Sequence, residues 1–352
     1  MSANVTVGAE KANTGLTAVP NNPHQVRANT IQPFLRKAME SPINIGEIPA
    51  SLFSGKLDSN HNLSLQNSHT SRPILKSNSR NNILIYPGSF NPPHLGHLAT
   101  IRYFSERRDK LDITAMFIFV DPGSIVQGKK KKWGDIILPQ ELRYELFYRV
   151  PEIFQLVESG WLQLLVGDMD THIKVLRMTT DLISEAGFDV KLVGLLGGDK
   201  LTVESAPHLH PGSLQEWGSV DEFLIINARR PVDFFDSKKE EIPRNLPGCT
   251  AWEKDLEAEE EKTEHLNESA GVLWICRALT VAGNPIIRFR ASQSSASNGV
   301  SSTKIRQIMA EAHNEELMEE LNDKVISADF LVEWLLIQRK AKRESIDEKA
   351  FL

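Results

Sequence analysis

The chain has 352 residues, 41% of them hydrophobic and 24% charged, which is the make-up of a folded globular protein with enough length for one large domain or two. A formal net charge of -6 excludes a global attraction to nucleic acid or to an anionic membrane, so any binding of phosphate must come from local positive groups. Apolar runs such as residues 116–120 and 330–337 are too short to span a bilayer, and the two cysteines, Cys249 and Cys276, lie far apart in sequence and match no metal spacing.

Residues 1–80 are rich in Asn, Ser, Thr, Pro and Gly and have little apolar periodicity, so they read as a mobile extension. One exception is Pro33-Phe34-Leu35-Arg36-Lys37-Ala38-Met39, which suits a short helix docking on the body. The N-terminus has no basic start followed by an apolar core, so a secretory signal is not expected. The expectation is a soluble intracellular protein, cytoplasmic or nuclear, with inert thiols in a reducing compartment and with homo-oligomerisation left open.

From residue 82 the texture changes. Residues 83–86 read as a strand broken by Pro87-Gly88, and a helical pattern begins near His94. Residues 113–120 read as strand, 139–154 as helix, 162–166 as strand, 173–186 as helix and 191–196 as strand. Residues 223–227 and 286–290 add two further strands. This alternation predicts an α/β fold, a Rossmann-like, doubly wound and mostly parallel sheet with helices on both faces, over about residues 81–345. Ligands of such sheets lie at the carboxyl ends of the strands. A charged insertion at about 235–270 reads as a solvated helix or mobile segment, and residues 329–342 as an amphipathic helix.

The sharpest pattern is Gly88-Ser89-Phe90-Asn91-Pro92-Pro93-His94-Leu95-Gly96-His97, placed where a strand turns into a helix. A helix N-terminus offers unpaired N–H groups and partial positive charge to a phosphate. Gly88 allows a sharp turn, after which Ser89 and Phe90 can present amides to the anion. His94 and His97, three apart, share one face of the first turn and can donate to charge developing on a phosphoryl group. Gly96 between them leaves room for a nucleotide. A second segment, Ser301-Ser302-Thr303-Lys304-Ile305-Arg306, is another capped helix start, with Arg306 able to bind two phosphate oxygens at once. In isolation, a common N-cap with a nearby arginine is the simpler account.

The first segment resembles the signature of the HxGH nucleotidyltransferases, and its Asn91-Pro92 form is most similar to the nicotinamide/nicotinate mononucleotide adenylyltransferases of eukaryotic type. Residues 83–342 share the resemblance. It implies that His94, His97 and Arg306 are catalytic, and that Gly88, Ser89, Phe90 and Gly96 bind ATP. Ser302 and Thr303 resemble the second signature, which holds the β- and γ-phosphates. Gly198 and Asp199, in Gly197-Gly198-Asp199-Lys200-Leu201, resemble a turn whose carboxylate contacts the ribose. Lys130, Lys131 and Arg143 resemble a lysine-rich loop that neutralises the acceptor phosphate, although a solvated or nuclear-targeting basic run fits the lysines as well. Trp217 resembles a ring that stacks on the acceptor base. The implied substrates are ATP, as its Mg2+ complex, and a pyridine mononucleotide, with no protein-held metal.

The chain departs from the family after residue 166. Where the family has Trp-Glu, it carries Met169-Asp170-Thr171-His172. Two other readings stay open: transfer of CMP to a phosphorylated alcohol or phosphobase, and a catalytically silent nucleotide-binding regulator. A plain NAD(P)-binding domain would want Gly-x-Gly-x-x-Gly after the first strand, which this sequence lacks.

Overall fold

The computed structural model describes residues 30–40, 74–128, 136–165, 167–198, 201–207, 220, 222–227, 232–236, 241–255, 273–281, 283–290 and 300–350. In chain order these form α1 (Ile31–Glu40), β1 (Asn81–Gly88), α2 (Leu95–Glu106), β2 (Ile113–Val120), the single turn-and-a-half α3 (Gly123–Gly128), α4 (Gln140–Tyr148), α5 (Pro151–Glu158), β3 (Leu162–Leu165) and α6 (Met169–Glu185). Then come β4 (Val190–Leu196), β5 (Glu222–Ile226), β6 (Glu253–Lys254), β7 (Leu273–Arg277), β8 (Ile286–Arg290), α7 (Ser302–Glu311), α8 (Leu317–Leu321) and α9 (Ala328–Ala350).

Among the described residues the strands make one eight-stranded sheet in the order β3-β2-β1-β4-β5-β8-β7-β6. The first six are parallel to one another, while β7 pairs antiparallel with β8 and β6 antiparallel with β7 at one edge. The order 3-2-1-4-5 is that of a Rossmann-like, doubly wound sheet, and it reverses direction between β1 and β4. Both faces are covered, which explains the unbroken apolar runs: every residue of β2 is buried. Along β1 the side chains alternate. Leu84 and Tyr86 join the core under α2, α4, α7 and α9, while Ile83 and Ile85 join the core on the opposite face.

Helix α1 belongs to that second core. Ile31, Leu35 and Ala38 recur at helical spacing and are buried, and the helix packs against α6. The short helix expected within residues 33–39, docked on the body, is therefore present, and it starts two residues earlier; the rest of the extension, residues 1–29 and 41–73, lies outside the described residues. Two expectations are corrected. The helix expected over 139–154 is two helices, because Pro151 at the start of α5 cannot donate to the preceding turn. The start of the charged insertion contributes to the sheet: Trp252 is buried and stacked on Phe234 at 5.7 Å, and Glu253–Lys254 pairs with β7, while residues 256–272 lie outside the described residues.

At the other end, α9 fixes α7. Leu331, Val332 and Leu335 are buried, and Arg339 donates to the carbonyls of Met309 and Ala312, both at 2.9 Å. A cation meeting the last carbonyls of a helix also complements its dipole. Among the described residues, no helix is long and apolar enough to cross a membrane.

Candidate functional site

A shallow cleft opens at the carboxyl end of the sheet. Its wall is made by Tyr86 of β1, Leu196, Gly197 and Gly198 at and after the end of β4, Ile226 of β5, and His94, Gly96, His97 and Thr100 of the α2 N-terminus. That is the point where the strand order reverses, the place a doubly wound sheet offers to a ligand.

His94 is the N-cap of α2, with extended backbone. Its Nδ1 accepts from the N–H of Gly96 at 3.1 Å, and the His97 Nδ1 accepts from the N–H of His94 at 3.1 Å. The two imidazoles therefore do what a Ser and a Glu do in a capping box. With Nδ1 engaged as an acceptor, each neutral ring carries its proton on Nε2, so both are donors on the opposite edge. The rings stack with centroids 3.6 Å apart and planes 22° apart. Gly96 suits this stack, since a Cβ there would sit 3.0 Å from the His94 ring and crowd it.

Phe90 holds His97 from the other side, its ring 4.9 Å away edge-on, and is itself wedged between Tyr86 and Phe147. This changes the reason for Gly88. The strand runs through Gly88, which pairs with Val120 of β2, and the positive φ of 42° falls on Phe90. A Cβ on Gly88 would stand 2.9 Å from the Phe90 ring, so Gly88 serves close packing. Ser89 donates its hydroxyl to Asp121 at 2.7 Å.

The second sequence segment lies against the first. Ser302 donates to the carbonyl of Pro92 at 3.0 Å across 210 positions, and Arg306 donates to the carbonyl of Asn91 across 215. Arg306 also donates to the Thr303 hydroxyl at 3.3 Å, and Ser301 caps α7 by accepting from Lys304 at 3.2 Å. Asn91 is held in turn by Leu138 and Ile136, at 3.0 and 3.1 Å. Arg306 is only 8% exposed, and burial lowers its guanidinium from the usual range. Two helix N-termini, α2 and α7, are thus tied together beside one loop.

Arg143 was expected on a substrate phosphate and is placed elsewhere. It is 0% exposed, and it donates to the carbonyls of Leu138 at 3.1 Å, Asp121 at 2.8 Å and Ser89. Burial pulls it down to about 10, opposed by the nearby charges of Asp121 and Glu141. Its structural work is to clamp the end of β2 to the Gly88–Ser89 turn. Gln140 does the same between β2 and the end of β3, donating to Val120 at 2.6 Å and Gly167 at 3.0 Å.

Gly198 lies in the cleft wall, where a side chain would collide with Val232. Asp199, Lys130, Lys131 and Trp217 lie outside the described residues. Across the sheet from the histidines, Asp168 caps α6, and His172 is buried 4.8 Å from the Phe119 ring. Sequence reading missed Tyr86, Thr100, Asp121, Gln140 and the main chain of Lys324, which accepts from Leu95 at 3.0 Å. Thr100 had a signal, since it sits one helical turn beyond Gly96. The others depend on contacts between distant segments.

The fold and cleft define an α/β protein of the doubly wound class. No family model and no curated protein matches the chain. A solved structure, the Plasmodium falciparum nicotinic acid mononucleotide adenylyltransferase complexed with NaAD, is similar at 13% identity with a TM-score of 0.36, covering 74% of this chain and 96% of that one.

Proposed function

We propose that the chain is a nucleotidyltransferase that transfers the adenylyl group of ATP to nicotinamide or nicotinate mononucleotide, forming NAD or its deamido form and pyrophosphate, a step of pyridine nucleotide biosynthesis. The observation that carries this reading is the joining of the two helix N-termini: Ser302 and Arg306 dock on the Pro92 and Asn91 carbonyls, two and three positions before His94 of the stacked pair. One positive helix end beside an imidazole pair suits an α-phosphate, and a second beside an arginine suits the departing phosphates.

ATP enters with magnesium on its phosphates, as the substrate complex. An oxygen of the acceptor phosphate attacks the α-phosphorus in line, a phosphorus–oxygen bond forms, and the bond to the β-phosphate breaks to release pyrophosphate. His94 and His97 donate from Nε2 to the oxygens of the transferring phosphorus. Ser302, Thr303 and Arg306 hold the leaving group, Gly198 leaves room in the cleft wall for the adenosine, and Asp199 keeps the ribose contact that the resemblance implies. Lys130, Lys131 and Trp217 keep the roles on the acceptor that the resemblance implies; Arg143 holds the turn from within. Neither cysteine takes part, and the rate comes from positioning and fixed dipoles.

The test offers purified full-length chain ATP or CTP with magnesium and a panel of acceptors: both pyridine mononucleotides, phosphopantetheine, phosphocholine and phosphoethanolamine. Chromatography reads the dinucleotide and pyrophosphate. Product with ATP and a pyridine mononucleotide supports the proposal. Turnover with CTP and a phosphobase, or none with any pair, overturns it.

A further inference from the structure

Cys249 and Cys276, 27 positions apart in the sequence, are neighbours in the fold. Cys276 is the fourth residue of β7, and the segment containing Cys249 runs antiparallel beside the end of that strand, with Cys249 opposite Ala278. The N–H of Thr250 donates to Arg277 at 2.9 Å and that of Leu279 donates to Gly248 at 2.8 Å. Bonds on both sides make residues 249 and 278 a non-hydrogen-bonded pair, the type in which side chains come closest. Residue 276 is two places along the same strand, so its side chain shares the face of Cys249 in the diagonal position. The two thiols meet there, close enough for each to shift the other's acidity. The register is pinned further by the Thr250 hydroxyl, which accepts from Arg277 at 2.9 Å.

We propose that Cys249 and Cys276 form a reversible oxidation site that closes to an intrachain disulfide in the presence of a peroxide. Their surroundings divide the labour. Cys276 is buried, and its thiol is pushed up by the Cys249 contact and by burial; Cys249 is half-buried, and the same contact draws its thiol down. The partly exposed, more acidic sulfur is the one a peroxide meets as thiolate. It attacks one peroxide oxygen, the oxygen–oxygen bond breaks, and hydroxide leaves and takes a proton as water. Cys276 then attacks the sulfenic sulfur, the sulfur–oxygen bond breaks, and a second water leaves with the Cys276 proton. Two thiols lose two electrons, and one peroxide becomes two waters. This site stands apart from the histidine cleft and does not depend on the proposed activity.

Full-length protein is treated with hydrogen peroxide under native conditions, alkylated after denaturation and digested with trypsin. The expected product links peptide 245–254 to peptide 263–277, with a loss of two hydrogens from their summed mass, and dithiothreitol releases both. Cys276→Ser is expected to stop the link while leaving a sulfenic acid on Cys249 that dimedone traps. Cys249→Ser, at the more exposed position, is expected to stop the link with the thermal melting of the reduced protein unchanged. Recovery of both wild-type peptides alkylated, or of over-oxidised Cys249 with Cys276 still alkylated, overturns the proposal.

Discussion

The imidazole of His97 stacks on that of His94 at 3.6 Å, and each ring uses its Nδ1 to hold a main-chain N–H of the same helix start. One pair of side chains therefore caps the helix and aims two Nε2 donors. The two duties separate under substitution. In His94→Asn, asparagine is also a strong N-cap, so unfolding stability should change by less than about 0.5 kcal/mol. Turnover should fall about 100-fold or more, the usual loss when a donor to a developing charge is removed. His97→Ala should likewise lower kcat much more than it raises the KM for ATP. Parallel loss of ATP affinity and turnover would assign the ring to ground-state binding.

Arg306 joins the two motifs through the Asn91 carbonyl, and its planar fork also reaches Thr303. Lysine keeps the charge and loses the fork. Arg306→Lys should cost about 1.5–3 kcal/mol of transition-state stabilisation, the worth of a charged hydrogen bond, read as a roughly 10- to 150-fold fall in kcat/KM for ATP. Ser302→Ala removes one neutral bond to Pro92 and should cost about 1 kcal/mol. A larger effect from the serine than from the arginine would contradict the assignment of the phosphate-holding role.

Much of this is legible in the amino-acid sequence. Residues 83–86 and 113–120 announce themselves because a parallel strand covered on both faces is apolar without interruption. The histidine pair and the capped start at Ser301 are local patterns, so their helix positions follow from spacing alone. Contacts between distant segments were not legible. Leu273–Arg277 is a five-residue strand behind a charged run, next to the short edge strand β6, and its pairing with β8 is set by the rest of the sheet. Nothing in residues 140–148 distinguishes a buried arginine from a solvated one, so Arg143 was placed on a phosphate. The cysteines looked remote because cross-strand pairing leaves no trace in spacing.

Arg143 is 0% exposed, and its donors go to three main-chain carbonyls. Arg143→Leu would leave those oxygens without their cation while adding a mismatched apolar side chain. The expected loss is about 3 kcal/mol or more, counted at 1–3 kcal/mol for each buried group stranded, and seen as a lower denaturation midpoint. The KM for the acceptor in any protein that stays folded should be unchanged. A selective rise in that KM with normal stability would return Arg143 to the acceptor phosphate.

Asp168 gives a test that depends on pH. Its carboxylate accepts from the N–H of Thr171 at 2.8 Å and from the Thr171 hydroxyl at 2.8 Å, at the positive end of α6. The Thr171 amide bond, aided by the side-chain bond and the charge of His172, holds the carboxyl below its ordinary range against a smaller effect of burial. A carboxyl depressed in the folded state contributes fully above its unfolded value, about 3.9, and the contribution is lost as pH falls through the lower folded value. Asp168→Ala should therefore be less stable than the parent by about 1 kcal/mol at pH 7, with the gap narrowing below about pH 4. Asp168→Asn keeps the cap and loses only the charge, which solvent screens at this exposed position, so it should differ by a few tenths of a kcal/mol. Denaturant titrations of the three proteins at pH 7 and pH 3 distinguish the cases. A gap for Asp168→Ala that does not narrow in acid would show that the cap acts through geometry without its charge.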